Sequence, residues 1–298
     1  MPYCSEAYLD IFDGLPLETE TAEERIESLR HQNVKRYRVK TIRSGKLLEC
    51  EIYPIWATKS DAGRAKKARE SRLAQKNLNH KNVRKKIMRL ANVNFTDADI
   101  WGTFGYDNNK LPTTPEQARK DVVNFIRRIK RRYKKRGLPT LRYLYVTEWR
   151  RESDEEGSAI RVHHHVIMSG GMDRDEIEQL WNGGAYPHTR RLRIKEDCGL
   201  NGVACYLAKG TKGQKYWGHS TNLKQPVITI ADSKLSRRQV ERIVKDENSL
   251  PVRFENLYGN YKFRDAQIKR SDIVSGAYIY VQMYQSRQLK AVNKYREV

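Results

Sequence analysis

No stretch of this 298-residue chain approaches the roughly 20 consecutive apolar residues that a membrane-spanning helix requires. Cysteine is sparse as well. Cys4, Cys50, Cys198 and Cys205 form no CxxC pair, which excludes a zinc ribbon and a dithiol redox motif and leaves reduced thiols as the expectation. The opening MPYCSEAYLDIFDG has neither the basic start nor the apolar run of an export signal, so a soluble intracellular protein is expected. No repeat recurs at solenoid periods. Carboxylates are few, 36 against 58 Lys and Arg, and the resulting net charge of +22 favours a polyanionic partner. Nucleic acid is the first candidate and an anionic membrane surface the second.

The length allows one large domain or two modest ones. Residues 1 to about 57 read as an acidic helix, ETETAEERIESLRHQ, followed by the strands KRYRVKTIRS and KLLECEIYPIWA. From Lys59 to Leu90 the pattern is helical, with 12 Lys and Arg against 2 acidic residues. Such a run can be no more than a solvated face, but a surface that follows phosphates is the better reading. IWGTFGY alternates like a strand. Thr114, Pro115 and Gln117 then give the N-cap, first-turn proline and capping-box glutamine of a helix. Val122, Phe125, Ile126, Ile129 and Tyr133 share one face of it, and Gly137 with Pro139 ends it. Its other face is densely basic. LRYLYVTEWR and AIRVHHHVIMSG read as neighbouring antiparallel strands, MDRDEIEQLWNGG as a second helix, and HTRRLRI as a further short strand.

This order, β-α-β-β-α-β, predicts an α+β, ferredoxin-like antiparallel sheet of about five strands with helices on one face. Alternation along a strand puts His163 and His165 on one face and His164 on the other. If Glu148 lies across from them in register, two imidazoles and a carboxylate form a metal site with open coordination positions on the central strands. The alternatives are a histidine triplet straddling a half-buried strand and a Glu148 paired with Arg150 or Arg151 at the surface. DCGLNGVACYLAKGTKG opens with turn residues and reads as a short helix that puts Tyr206 and Lys209 on one face. A metal-polarised phosphate and a neighbouring cation would help that phenol act as a nucleophile; otherwise Tyr206 packs and Lys209 caps a helix end.

Taken together, TFGYD, VTEW with Glu148, VHHHVIM with His163 and His165, LWNGG, and YLAK with Tyr206 and Lys209 resemble the HUH endonuclease superfamily. The resemblance, spanning roughly residues 100 to 213, is to the single-tyrosine rolling-circle replication initiators of bacterial plasmids and phages. His164 stands where these proteins carry a hydrophobic residue, and Gly210 stands where two-tyrosine relatives carry the second tyrosine. The resemblance implies Glu148, His163 and His165 as ligands of Mg²⁺ or Mn²⁺, Tyr206 as the nucleophile, and Lys209 as a phosphate contact. Tyr186 and Tyr216 are lesser candidates for the nucleophile, and His188 reads as a loop histidine that could lie near the site. It further implies nicking and rejoining of single-stranded origin DNA, presented as a hairpin, through a 5′-phosphotyrosine. A host helicase and DNA polymerase are the implied partners, and the cytoplasm of a bacterial host the implied location.

The expected domains are a basic N-terminal extension (1–95), an endonuclease domain (96–220), and a C-terminal α/β extension (221–298) packed on it. Two rivals stay open. One is a single-tyrosine transposase or relaxase, and the other a noncatalytic ferredoxin-like module that binds nucleic acid and uses its histidines structurally.

Overall fold

The computed structural model describes residues 34–56, 74–150, 160–185, 187–195, 199–200, 217–270 and 276–285. In chain order the elements are β1 (Val34–Ser44), β2 (Leu47–Trp56), α1 (Ala74–Asn94), β3 (Ile100–Phe104), α2 (Pro115–Lys135), β4 (Tyr143–Arg150), β5 (Ile160–Met168), α3 (Arg174–Gln179) and β6 (His188–Arg191). They continue with β7 (Trp217–His219), β8 (Val227–Ala231), α4 (Arg237–Lys245), α5 (Leu250–Leu257), β9 (Tyr261–Arg270) and β10 (Ala277–Gln285). The expected acidic helix 18–32, the first part of the basic helix (59–73) and the body of the expected helix after Asp197 lie outside the described residues.

The backbone divides into two compact units, each built on a five-stranded antiparallel sheet. One unit takes its sheet from both ends of the chain, in the order β8-β1-β2-β10-β9. Val39 pairs with Ala231, and Ile52 pairs with Ile279. Its core joins Val39, Leu48, Cys50 and Ile52 to Val240, Ile243 and Val244 of α4 and Phe254 of α5. A reciprocal capping box between Ser236 and Gln239 starts α4. Strands from the expected N-terminal and C-terminal extensions therefore share one hydrophobic core.

The other unit carries the β-α-β-β-α-β succession, and its strand order is β6-β3-β5-β4-β7. Thr114 caps α2 by accepting the Gln117 N–H at 3.2 Å. The capping box is only half formed, because the Gln117 side chain turns forward to donate to Asp121 at 2.8 Å. At the other end the Leu138 N–H reaches the Tyr133 carbonyl at 3.0 Å and that of Gly137 reaches Lys134 at 3.2 Å, a Schellman closure. It needs a residue at φ +63°, which Gly137 supplies without a Cβ clash. Val122, Phe125, Ile126 and Ile129 are buried against Phe104, Tyr145 and Val166 of the sheet. Ile177 and Trp181, from α3 and the turn after it, join this cluster, so α2 and α3 lie on one face. On the opposite face, which carries Leu144 and Val146, the Lys86 ammonium of α1 lies 5.5 Å from the Trp217 ring centre. The sheet thus has helix on both sides, with α1 coming from before the split motif.

Candidate metal centre

β5 is the middle strand of its sheet, between β3 and β4. The register places Glu148 opposite His163, Thr147 opposite His164, and Val146 opposite His165. From the other side Thr103 stands opposite His165 and Phe104 opposite His164. Strand alternation then sorts the side chains: His164, Thr147 and Phe104 face α2, while Glu148, His163, His165 and Thr103 face away from it. Just beyond Glu148 the β4–β5 pairing slips by one residue, a bulge that ends the regular ladder beside the cluster.

Nε2 of His163 and Nε2 of His165 approach to 3.0 Å. The Glu148 carboxylate lies 3.3 Å from the first and 3.7 Å from the second. One donor atom from each of the three residues falls within 4.8 Å of the others. Ligands at right angles on a cation with bonds of about 2.1 Å stand about 3 Å apart, so the imidazole spacing fits a common divalent ion. Two nitrogens and a carboxylate leave further coordination positions for water or a phosphate oxygen. The cluster is mostly buried: the Glu148 and His165 side chains are 8% and 3% exposed, and His163 at 23% forms its open side.

The surroundings fix which nitrogens point inward. His163 Nδ1 lies 2.8 Å from the Arg161 carbonyl oxygen, which can only accept, so in the neutral ring the proton sits on Nδ1 and the Nε2 lone pair is turned toward the cluster. Thr103 Oγ1 lies 3.2 Å from His165 Nδ1 and can play the same part. The Trp101 ring stacks on His165 with centres 5.0 Å apart. Burial pulls the His163 pKa down, but hydrogen bonds to Glu148 and the Arg161 carbonyl, with the Glu148 charge, more than offset it and leave it raised. For His165, burial and then the His163 charge win, and its pKa falls to about 4. At neutral pH His165 therefore offers a lone pair, as a metal ligand must.

His164 does something else. It is wholly buried under α2, with Nε2 2.7 Å from the Tyr106 hydroxyl and Nδ1 2.8 Å from Thr147 Oγ1. Burial, aided by the two neighbouring imidazoles, lowers its pKa to about 3. A cavity of about 610 Å³ opens on this same side of the sheet, lined by Tyr106, Gln117, Asp121, Arg128 and Trp181 among others, and none of the three cluster residues lines it.

The structure thus brings Glu148, His163 and His165 together. Tyr206, Lys209, Tyr186 and Tyr216 lie outside the described residues. His188 is exposed on β6, opposite Thr103, two strands away from His165. Sequence reasoning missed Thr103 and the Arg161 carbonyl as orienting groups, and Tyr106 and Thr147 as the partners of His164. Only the alternation of β3 hinted at Thr103.

The architecture and its triad define an α+β domain with a group that could hold a metal ion on the central strands of an antiparallel sheet. Residues 99–215, within which the cluster lies, match the family model of the replication-associated protein ORF2/G2P. No curated protein and no solved structure gives a significant match. The family match supports a role in DNA replication. Among the described residues no helix is long and apolar enough to cross a membrane.

Proposed function

We propose that the chain is a rolling-circle replication initiator that nicks and rejoins single-stranded DNA at an origin. The observation that carries this reading is the convergence of Glu148, His163 and His165 within the stretch matched by the replication-associated family. These three residues would hold Mg²⁺ or Mn²⁺. The ion, when bound, would supply Lewis-acid polarisation and orientation of the scissile phosphate.

The remaining work falls to the chain. Tyr206 attacks the phosphorus, forming a bond from its phenolic oxygen and breaking the bond to the 3′ oxygen of the preceding sugar. The phenol gives up its proton and the departing 3′ oxygen gains one. A 5′-phosphotyrosine and a free 3′ hydroxyl result. Lys209 contacts the phosphate and stabilises its developing charge. Attack by a 3′ hydroxyl on the phosphotyrosine reverses the exchange and rejoins the strand, so no nucleotide cofactor is consumed. A host polymerase extends the 3′ end and a host helicase opens the duplex ahead of it. Cytoplasmic action in a bacterial cell fits these partners.

The test uses labelled single-stranded oligonucleotides tiling the non-coding part of the encoding replicon, with Mn²⁺. An SDS-stable protein–DNA adduct is expected with one of them, lost in Tyr206→Phe and on chelation. Failure of every oligonucleotide, or an undiminished adduct in Tyr206→Phe, contradicts the proposal.

A further inference from the structure

The helix α2 has two faces with different work. Its apolar face holds the sheet on the side where His164 points, so its outer face looks away from the side bearing Glu148, His163 and His165. From Arg119 to Arg136 the sequence carries ten cations and one carboxylate, Asp121. Lys120, Arg127, Arg131 and Lys134 form one exposed row. At 1.5 Å per residue the row is about 21 Å long. Among the described residues none of these four meets a carboxylate at ion-pair distance; Arg127 bonds only the neutral Asn124, at 3.1 Å. Arg132 and Arg136 share Glu176.

Packing alone does not explain this arrangement. Arg127 with Arg131, Arg128 with Arg132, Lys130 with Lys134, Arg131 with Lys135, and Arg132 with Arg136 are all like charges one helical turn apart. Each such pair opposes the helix by about 0.2–0.5 kcal/mol. A solvated face of mixed sign would avoid this repulsion. The partner's chemistry follows from what else the ridge lacks. No exposed large apolar side chain of the described residues lies on it, which disfavours a membrane or an apolar protein groove. It presents no exposed aromatic on which unpaired bases could stack, because Tyr133 is buried. A rigid row of cations suits the closely spaced, fixed phosphates of a duplex better than the bases of a flexible single strand.

We propose that the outer face of α2 is a second nucleic-acid surface, one that binds the phosphate backbone of duplex DNA on the side of the sheet away from the metal centre. Arg127, Arg131 and Lys134 each neutralise a phosphate there without reading sequence. Binding requires neither the metal cluster nor Tyr206, so its test stands apart from that of cleavage.

The experiment compares the full chain with Arg127→Gln/Arg131→Gln/Lys134→Gln, and with a control of equal charge, Arg238→Gln/Arg242→Gln/Lys245→Gln, on the exposed face of α4. The probe is a blunt 20-base-pair duplex of arbitrary sequence, titrated by fluorescence anisotropy across a range of salt. Each lost phosphate contact lowers the slope of log K against log salt by about 0.9, so the α2 variant should lose about 2 to 3 in slope and roughly tenfold or more in affinity at low salt. The α4 control should bind like the parent. Thermal melting should show the α2 variant no less stable, since like-charge repulsion is removed. Equal losses in both variants, unchanged duplex binding in the α2 variant, or a loss confined to single-stranded DNA of the same length would overturn the proposal.

Discussion

His164→Leu separates the roles of three consecutive imidazoles. In the native structure the His164 ring is wholly buried and bonded at both nitrogens, to Tyr106 at 2.7 Å and Thr147 at 2.8 Å. Leucine fills much of the same space but accepts and donates nothing. The Tyr106 hydroxyl retains its bond to Asp121 at 3.3 Å, whereas Thr147, 9% exposed, loses a short bond. An orphaned buried hydroxyl costs about 1–3 kcal/mol, and relief of the imidazole's desolvation returns part of it. A net loss of about 0.5–2 kcal/mol in urea-unfolding stability is expected. Mn²⁺ affinity, measured calorimetrically, should stay within a few-fold of the parent, because the ring faces α2. His163→Leu should do the reverse, leaving stability close to native and weakening Mn²⁺ binding by about 100-fold or more, since loss even of an orienting partner costs about 10–100-fold. If His164→Leu lost the ion while keeping its stability, the assignment of faces on β5 would be wrong.

Thr103→Val keeps the shape of the side chain but removes the oxygen 3.2 Å from His165 Nδ1, so Mn²⁺ affinity should fall about 10–100-fold with little change in melting. At Gly170 a Cβ would land on the Ala98 carbonyl oxygen and the Arg191 guanidinium. Gly170→Ala should therefore destabilise this unit by about 1–3 kcal/mol in urea unfolding, and a neutral result would refute that packing. Burial pushes the Cys50 thiol up to about 12, against an ordinary value of 9.0. Because its folded pKa is raised, its contribution to stability is full below about pH 9 and is lost as pH rises toward 12. Iodoacetamide at pH 8.5 should label Cys50 only after unfolding, and rapid native labelling would contradict its burial.

How much of this was legible in the sequence depended on the range of the interaction. Helix α2 could be read almost residue by residue, because Thr114, Pro115, the apolar stripe from Val122 to Tyr133 and Gly137 act within a turn or two of one another. The facing of His163 and His165 also followed from the two-residue period of a strand. Their approach to Glu148 required the register of β4 on β5, which the sequence could only make conditional. In the other sheet β1 and β2 could be read as strands, but their partners could not. Val39 meets Ala231 and Ile52 meets Ile279 across most of the chain, and nothing local to β1 or β2 announces partners so distant. Strand β9 was hidden for a related reason: YKFRDAQIKR is an edge strand whose core-facing residues, Tyr261 and Phe263, then Ala266 and Ile268, are put out of phase by a bulge at Arg264. Thr103 went unnoticed because a threonine gains meaning beside His165 only once β3 and β5 are paired.

The most direct test of the central claim is an anomalous-scattering map from crystals of the full chain grown with Mn²⁺. One dominant peak is expected within bonding distance of Nε2 of His163, Nε2 of His165 and a Glu148 carboxylate oxygen. A well-occupied Mn²⁺ peak elsewhere, with these three side chains bonded only to one another, would contradict that claim.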